Sequence, residues 1–133
     1  NGMTPIVCCG ESLETREAGQ EKEWVSGQIR AALEGLTADQ VAQAVIAYEP
    51  IWSIGPGKTP AGKDYIQMIA RFVKERTGGM AVAYGGGLKT DNAAMLASIP
   101  EIDGGLIALT RFQGDIGFYP EEYLEIIRMY MGQ

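Results

Sequence analysis

Ala47-Tyr48-Glu49-Pro50-Ile51-Trp52-Ser53-Ile54-Gly55-Pro56-Gly57-Lys58-Thr59 runs out of a short apolar stretch into a carboxylate and then into a glycine-punctuated loop. Val45-Ile46-Ala47-Tyr48 is a brief apolar run, the pattern of a buried parallel strand. The proline after Glu49 biases that glutamate toward extended backbone, so Glu49 closes the strand. Parallel α/β folds gather their chemistry at the C-terminal ends of strands, which makes Glu49 a candidate base. The segment Pro50, Ile51, Trp52, Ser53, Ile54, Gly55, Pro56, Gly57, Lys58, Thr59 has stiff ends around a glycine-hinged middle, the build of a closing flap. A glutamate at a strand end without such a loop fits a structural ion pair equally well.

Outward from this stretch, four units recur, each a short apolar strand, a loop and a helix. The expected strands are Pro5–Cys9, Val45–Tyr48, Ala81–Tyr84 and Gly105–Leu109. Val25, Ile29, Ala32, Leu33 and Leu36 share one helical face, and Thr37-Ala38-Asp39-Gln40 reads as a capping box opening a further short helix. Ile66, Ile69, Ala70 and Val73 stripe a second helix ended by Gly78-Gly79. A shorter one starts near Asp91 and stops before Pro100. The last begins at Pro120 with Glu121 and Glu122 in its first turn, and is expected to bury Leu124, Ile127 and Met131. Repeated βα units imply a parallel sheet covered by helices, in either half a barrel or an open sheet.

At 133 residues, 46% hydrophobic and 21% charged, the chain has ordinary globular composition for a single domain. A net charge of -6 and a pI near 4.6 argue against nucleic acid or an anionic membrane as a main partner. No apolar run approaches the roughly 20 residues of a membrane span and nothing resembles a signal peptide, so a cytoplasmic protein is expected. Cys8 and Cys9 are adjacent in a strand and point to opposite faces, which disfavours a disulfide between them. They read as small buried hydrophobes, since no histidine exists to activate a thiolate. The lack of histidine also excludes Ser-His-Asp triads and imidazole acid–base catalysis from this polypeptide. Gly-Lys-Thr at 57–59 is no nucleotide loop, because the glycine required five residues before Gly57 is Trp52.

Four motifs, in order along the chain, resemble the triosephosphate isomerase family, specifically the C-terminal half of its (β/α)8 barrel, strands five to eight. They are Cys8-Cys9-Gly10-Glu11 with Arg16-Glu17-Ala18-Gly19, Tyr48-Glu49-Pro50-Ile51-Trp52 through Gly57-Lys58-Thr59, Tyr84-Gly85-Gly86, and Asp103-Gly104 with Leu106. The resemblance implies an α/β half-barrel of four βα units with parallel strands, residues 1–133 forming a single C-terminal half-barrel fragment. The opening Asn1-Gly2-Met3-Thr4 directly before a strand fits the second half of something larger.

By the same resemblance, Glu49 is the catalytic base, shuttling a proton between adjacent carbons of an aldose phosphate and a ketose phosphate (glyceraldehyde 3-phosphate and dihydroxyacetone phosphate), a step of glycolysis and gluconeogenesis. Residues Pro50 to Thr59 form the lid. Gly55, Gly87, Ala108 and Leu109 align with phosphate-binding positions. Cys8, Glu11, Arg16 and Tyr84 support the site, with Tyr84 helping to latch the lid; a surface Glu–Arg pair is the competing reading of Glu11 and Arg16. No metal and no organic cofactor are implied, because the substrate carbonyl itself acidifies the neighbouring carbon. The implied partners are a small phosphorylated sugar and a missing N-terminal half or a second copy of the chain, with the full protein a homodimer. The family's lysine, asparagine and electrophilic histidine belong to the other half, so the fragment alone is expected to be inactive.

Three departures from the family pattern bear on substrate. Gly87 stands where the family has serine, Ala108-Leu109 replaces paired glycines and should crowd an anion, and Thr110-Arg111-Phe112-Gln113-Gly114-Asp115 replaces a small-residue helix opening. Arg111 is expected either to hydrogen-bond an anion or to point into solvent. The alternatives to a triose phosphate isomerase are an isomerase of a related four-carbon sugar phosphate and a noncatalytic half-barrel folding module.

Overall fold

A computed structural model describes residues 1–133. Strands β1 (Ile6–Cys9), β2 (Val45–Tyr48), β3 (Ala81–Tyr84) and β4 (Gly104–Gly105) hydrogen-bond in that order, every pair parallel. Helices α1 (Leu13–Glu17), α2 (Glu21–Leu33) and α3 (Ala38–Gln43) follow β1; a 3₁₀ turn at Ile51–Ser53 and α4 (Lys63–Thr77) follow β2; α5 (Ala93–Ala97) follows β3 and α6 (Pro120–Tyr130) follows β4. Spatial order equals chain order throughout. An open doubly wound sheet reverses its strand order partway, whereas a barrel never does. The architecture is half a (β/α)8 barrel.

The two faces of the sheet follow from the two-residue period of a strand. Cys9, Ile46, Tyr48, Val82 and Tyr84 join the hydrophobic core together with helix residues. Cys8, Ala47 and Ala83 sit in register with one another and with Gly104 on the opposite, inner face. Glu49, two residues beyond Ala47, and Gly85, two beyond Ala83, continue that inner row.

Helix α4 covers more of the sheet's core face than any other helix. It carries Asp64 in its first turn and Lys74 and Arg76 in its last, and stops at Gly78, whose φ of 70° closes the end in a left-handed conformation. Its Ile66, Ile69, Ala70 and Val73 are fully buried, the larger three contributing about 1.5–3 kcal/mol each. The capping box at α3 forms as expected, with the Gln40 N–H donating to Thr37 Oγ1 at 3.2 Å and the Thr37 N–H to Gln40 Oε1 at 2.9 Å.

Several expectations need correction. The fourth strand is Gly104–Gly105, not Gly105–Leu109: its neighbour β3 turns away at Gly85, so the Leu106 N–H to Tyr84 carbonyl bond at 2.9 Å is the last rung. Ala32 and Leu36 are exposed, since α2 ends at Leu33 and its buried face comprises Val25 and Ile29. On α6 the buried residue is Ile126, while Leu124, Ile127 and Met131 are exposed. That helix has two apolar stripes, and periodicity alone does not say which one meets the sheet. The short helix α1 was not foreseen. No helix is long and apolar enough to cross a membrane.

Candidate active site

Glu49 is held from both sides through its backbone. Its N–H donates to the Cys9 carbonyl at 2.7 Å, and the Gly85 N–H donates to the Tyr48 carbonyl at 2.9 Å. Two glycines form the slot around it. A Cβ on Gly10 would overlap the Glu49 carbonyl, and one on Gly85 would lie 2.8 Å from Glu49 Cγ and 3.2 Å from Cδ. The half-buried Glu49 side chain therefore lies over a glycine floor that no other residue type can provide. The Cys8 thiol sits beside it: the hydrogen bond with the Glu49 carboxylate raises its pKa most, and burial and the carboxylate charge add to that. Cys8 is exposed, contrary to its reading as a buried hydrophobe: it lies in the inner row on β1, an edge strand, whereas Ala47 beside it on the central β2 is buried. Cys9 does fit that reading, its thiol pushed up to about 12 by burial, with Cys8, Glu11 and Glu49 adding.

Glu11 is completely buried. Its Oε1 accepts from Tyr48 Oη at 2.8 Å, Trp52 Nε1 at 3.0 Å and Tyr65 Oη at 2.6 Å, and its Oε2 lies 3.1 Å from Tyr48 Oη. A buried carboxylate is tolerable only with such compensation. Burial first, and then Glu11, pushes the Tyr48 hydroxyl far up, and the same causes raise Tyr65, so both remain proton donors. The surface Glu–Arg pair is thereby overturned. Arg16 instead stacks its guanidinium over the Trp52 ring at 4.0 Å and the Tyr65 ring at 4.6 Å.

This hub anchors the N-terminal stem of the loop. Ile51 N–H donates to the Glu11 carbonyl at 3.1 Å, and Pro50, Trp52 and Ser53 are buried. Ser53 Oγ lies 2.9 Å from the Pro50 carbonyl and 3.1 Å from the Gly86 carbonyl, which also accepts from Tyr84 Oη at 3.0 Å. Tyr84 thus meets the loop through a shared carbonyl; burial raises its hydroxyl to about 12. Ile54 and Gly55 are half-buried, whereas Pro56, Gly57, Lys58 and Thr59 are exposed. Gly55, with φ of 102°, turns the chain where a side chain would strain it.

Gly55, Gly87, Ala108 and Leu109 line one cavity of about 70 Å³, together with Ile54, Gly85, Leu88, Leu106 and Phe112. The backbone N–H groups of Gly55, Gly87, Ala108 and Leu109 take no part in the hydrogen bonds of the loops and turns. These four N–H groups are free to serve as anion donors, while the other walls of the cavity, Ile54, Leu88, Leu106 and Phe112, are apolar. Room for a few water molecules suits a phosphoryl group; whole-ligand pockets run to roughly 300–1,000 Å³. Gly85 is the shared wall, lining this cavity while carrying the Glu49 side chain. A larger hollow, about 530 Å³ at the start of α2, is lined by Gln20, Glu23, Trp24, Gly27 and Gln28, with Glu23 its one carboxylate.

Beyond Leu109, Arg111 is paired with Glu122 rather than directed into solvent. Its Nε and a terminal nitrogen donate to Glu122 Oε1 at 2.9 and 2.6 Å, and its guanidinium lies 3.8 Å from the Tyr119 ring centre. The hydrogen bond to Glu122 raises the Arg111 pKa, and its counterpart lowers that of Glu122.

Sequence reasoning missed several contributors. Gly10 and Gly85 stand within the family motifs, but nothing in the sequence marks them as the floor under Glu49. Tyr65 lies 54 positions from Glu11 and carried no signal. Asn92 accepts from the Lys89 N–H at 2.9 Å and donates to the Gly87 carbonyl at 3.0 Å, tying down the turn that carries Gly87.

The chain matches the family described as Triosephosphate isomerase over residues 1–129. It is 47% identical over 136 residues to the triosephosphate isomerase of Lactobacillus helveticus, covering 96% of this chain and 51% of that protein. Proteins of the same name from Lactobacillus delbrueckii subsp. bulgaricus and Pediococcus pentosaceus are each 46% identical, with the same coverage. The chain spans about half the length of these curated relatives. With four parallel βα units in barrel order and matches along nearly its whole length, the chain belongs to the triosephosphate isomerase family.

Proposed function

We propose that this chain is the C-terminal half-barrel of an aldose–ketose isomerase acting on a short sugar phosphate, with Glu49 as the base that moves a proton between adjacent carbons. The observation that carries this reading is the shared wall at Gly85, which puts a strand-end carboxylate next to a phosphoryl-sized cavity with unengaged N–H donors. Gly55, Gly87, Ala108 and Leu109 hold the phosphate, and Pro50 to Thr59 close over it and exclude water. Cys8, Glu11, Arg16 and Tyr84 keep Glu49 and the lid stem in place. Glyceraldehyde 3-phosphate and dihydroxyacetone phosphate are the first substrate pair, placing the complete protein in cytoplasmic glycolysis and gluconeogenesis.

The chain contains no histidine to polarise the substrate carbonyl, so activity requires the other half of a barrel. Ile6 on β1, at one sheet edge, is 53% exposed, and beside β4 at the other edge Leu106, Ile127 and Met131 line an apolar cleft of about 340 Å³. A preceding half of the same polypeptide, or a second copy of this chain, covers these surfaces, and the complete protein is a homodimer.

Substitution of Ala108-Leu109 and Gly87 at the cavity supports a second reading, an isomerase for a four-carbon sugar phosphate. Both are tested by assaying the complete protein on triose and tetrose phosphates in D2O. Deuterium entry at the carbon beside the carbonyl, lost in Glu49→Gln, supports Glu49 as base; equal exchange in the variant refutes it. If neither substrate exchanges in the wild-type protein, a noncatalytic half-barrel module is the remaining reading.

A further inference from the structure

Resting on that functional reading, we propose that Glu122 is a positioning residue for the phosphate cradle. Through Arg111 and Thr110 it fixes the Ala108–Leu109 donors and thereby sets where the phosphate end of the substrate sits. Past Leu106, whose N–H makes the last sheet rung, residues 107–109 have no ladder to hold them. Their fixed point lies on the far side. The buried Thr110 donates from its hydroxyl to Glu122 Oε2 at 2.9 Å, and that hydroxyl accepts the Tyr119 N–H at 2.8 Å. Both the Thr110 and Arg111 N–H groups donate to the Gly117 carbonyl at 3.1 Å, and the Gly117 N–H returns a bond to the Arg111 carbonyl at 3.2 Å.

Glu122 thus engages two consecutive side chains with separate oxygens: Oε1 takes the Arg111 guanidinium and Oε2 the Thr110 hydroxyl. Because Glu122 stands in the first turn of α6, the clamp ties the cradle to a helix rather than to a free loop. The next residue, Phe112, is itself a wall of the cavity, so its position is set by the same clamp. An anion cradle needs its N–H groups held before the ligand arrives, since ordering them on binding weakens affinity.

The test compares the complete protein with Glu122→Gln and Thr110→Val, reading inorganic phosphate affinity by ³¹P NMR and as competitive inhibition of the isomerase. The inference predicts that the phosphate dissociation constant and KM rise together by roughly three- to ten-fold, the worth of about one hydrogen bond, while kcat stays within about two-fold. Arg111→Lys, which keeps the charge but loses the fork, should fall between wild type and Glu122→Gln. Unchanged phosphate affinity in folded variants overturns the proposal, as does a loss confined to kcat. Should Glu122→Gln fail to fold, Thr110→Ser and Arg111→Lys decide: Thr110→Ser must bind phosphate like wild type and Arg111→Lys more weakly. Wild-type protein that binds phosphate without isomerising either sugar phosphate would refute the functional reading while leaving the clamp measurable.

Discussion

The base proposed at Glu49 requires its carboxylate oxygen to be placed to within a fraction of an ångström, and that placement rests on atoms that are missing. Gly85 leaves the floor beneath Glu49 open, and Gly85→Ala would drive a methyl to 2.8 Å from Glu49 Cγ. In the complete protein this substitution should lower kcat by at least about ten-fold with the fold retained by circular dichroism, a displaced reacting group being costly. Glu49→Asp, which shortens the reach by one methylene, should cost on the order of 10²–10⁴ in kcat, the usual worth of a positioned base. A rate within two-fold of wild type would remove Glu49 from the reaction. Proximity of Cys8 to Glu49 is separately measurable on this chain. The neighbouring carboxylate raises the Cys8 thiol, so less thiolate is present at neutral pH, and Glu49→Gln should speed its alkylation by iodoacetamide. Cys9, buried and raised further, should stay unreactive in both proteins.

At the scale of elements, Glu11, just past β1, joins β2, the loop stem and α4 through one carboxylate. Glu11→Leu would leave the Tyr48, Tyr65 and Trp52 donors unsatisfied, at about 1–3 kcal/mol for each donor that finds no water. Urea unfolding should show a loss of at least about 2 kcal/mol. A second tie joins α4, β3 and the entry to β4, where Asp103 accepts from Lys74 and from the Val82 N–H at 2.9 Å. Burial alone would raise the Asp103 pKa, but the hydrogen bonds from Lys74 and Val82 hold it below its ordinary value of 3.8. A depressed carboxyl stabilises the fold above its unfolded pKa, and that stability is lost as the pH falls through the lower, folded one. The Asp103 share of stability should therefore be constant above about pH 5 and decline below pH 4, and Asp103→Asn should flatten that part of the pH dependence. Where sequence misjudged elements, the cause was geometric. The stripe at Leu124, Ile127 and Met131 is as apolar as a buried one, but α6 meets its neighbours through Ile126. Gly105 to Leu109 has strand-like composition, but pairing stops where β3 stops.

For the whole molecule, exposed apolar surface at both sheet edges predicts association. Native mass spectrometry of the isolated chain should find multiples of 14.3 kDa; a soluble 14.3 kDa monomer at micromolar concentration would refute the need for a partner. By itself the sequence determined the four βα units, the family resemblance, the closing of β2 by Glu49-Pro50 and the loop that follows. These depend on local chemistry, on apolar runs, proline and glycine whose effects reach only a few residues. Tertiary structure alone decided that strand order never reverses, that Glu11 is a buried acceptor rather than half of a surface pair, and that Arg111 belongs to Glu122. Each of these depends on groups brought together across sheet and helices from distant positions in the chain, or on which of two equally apolar faces is turned inward, and no periodicity in a single sequence records that choice.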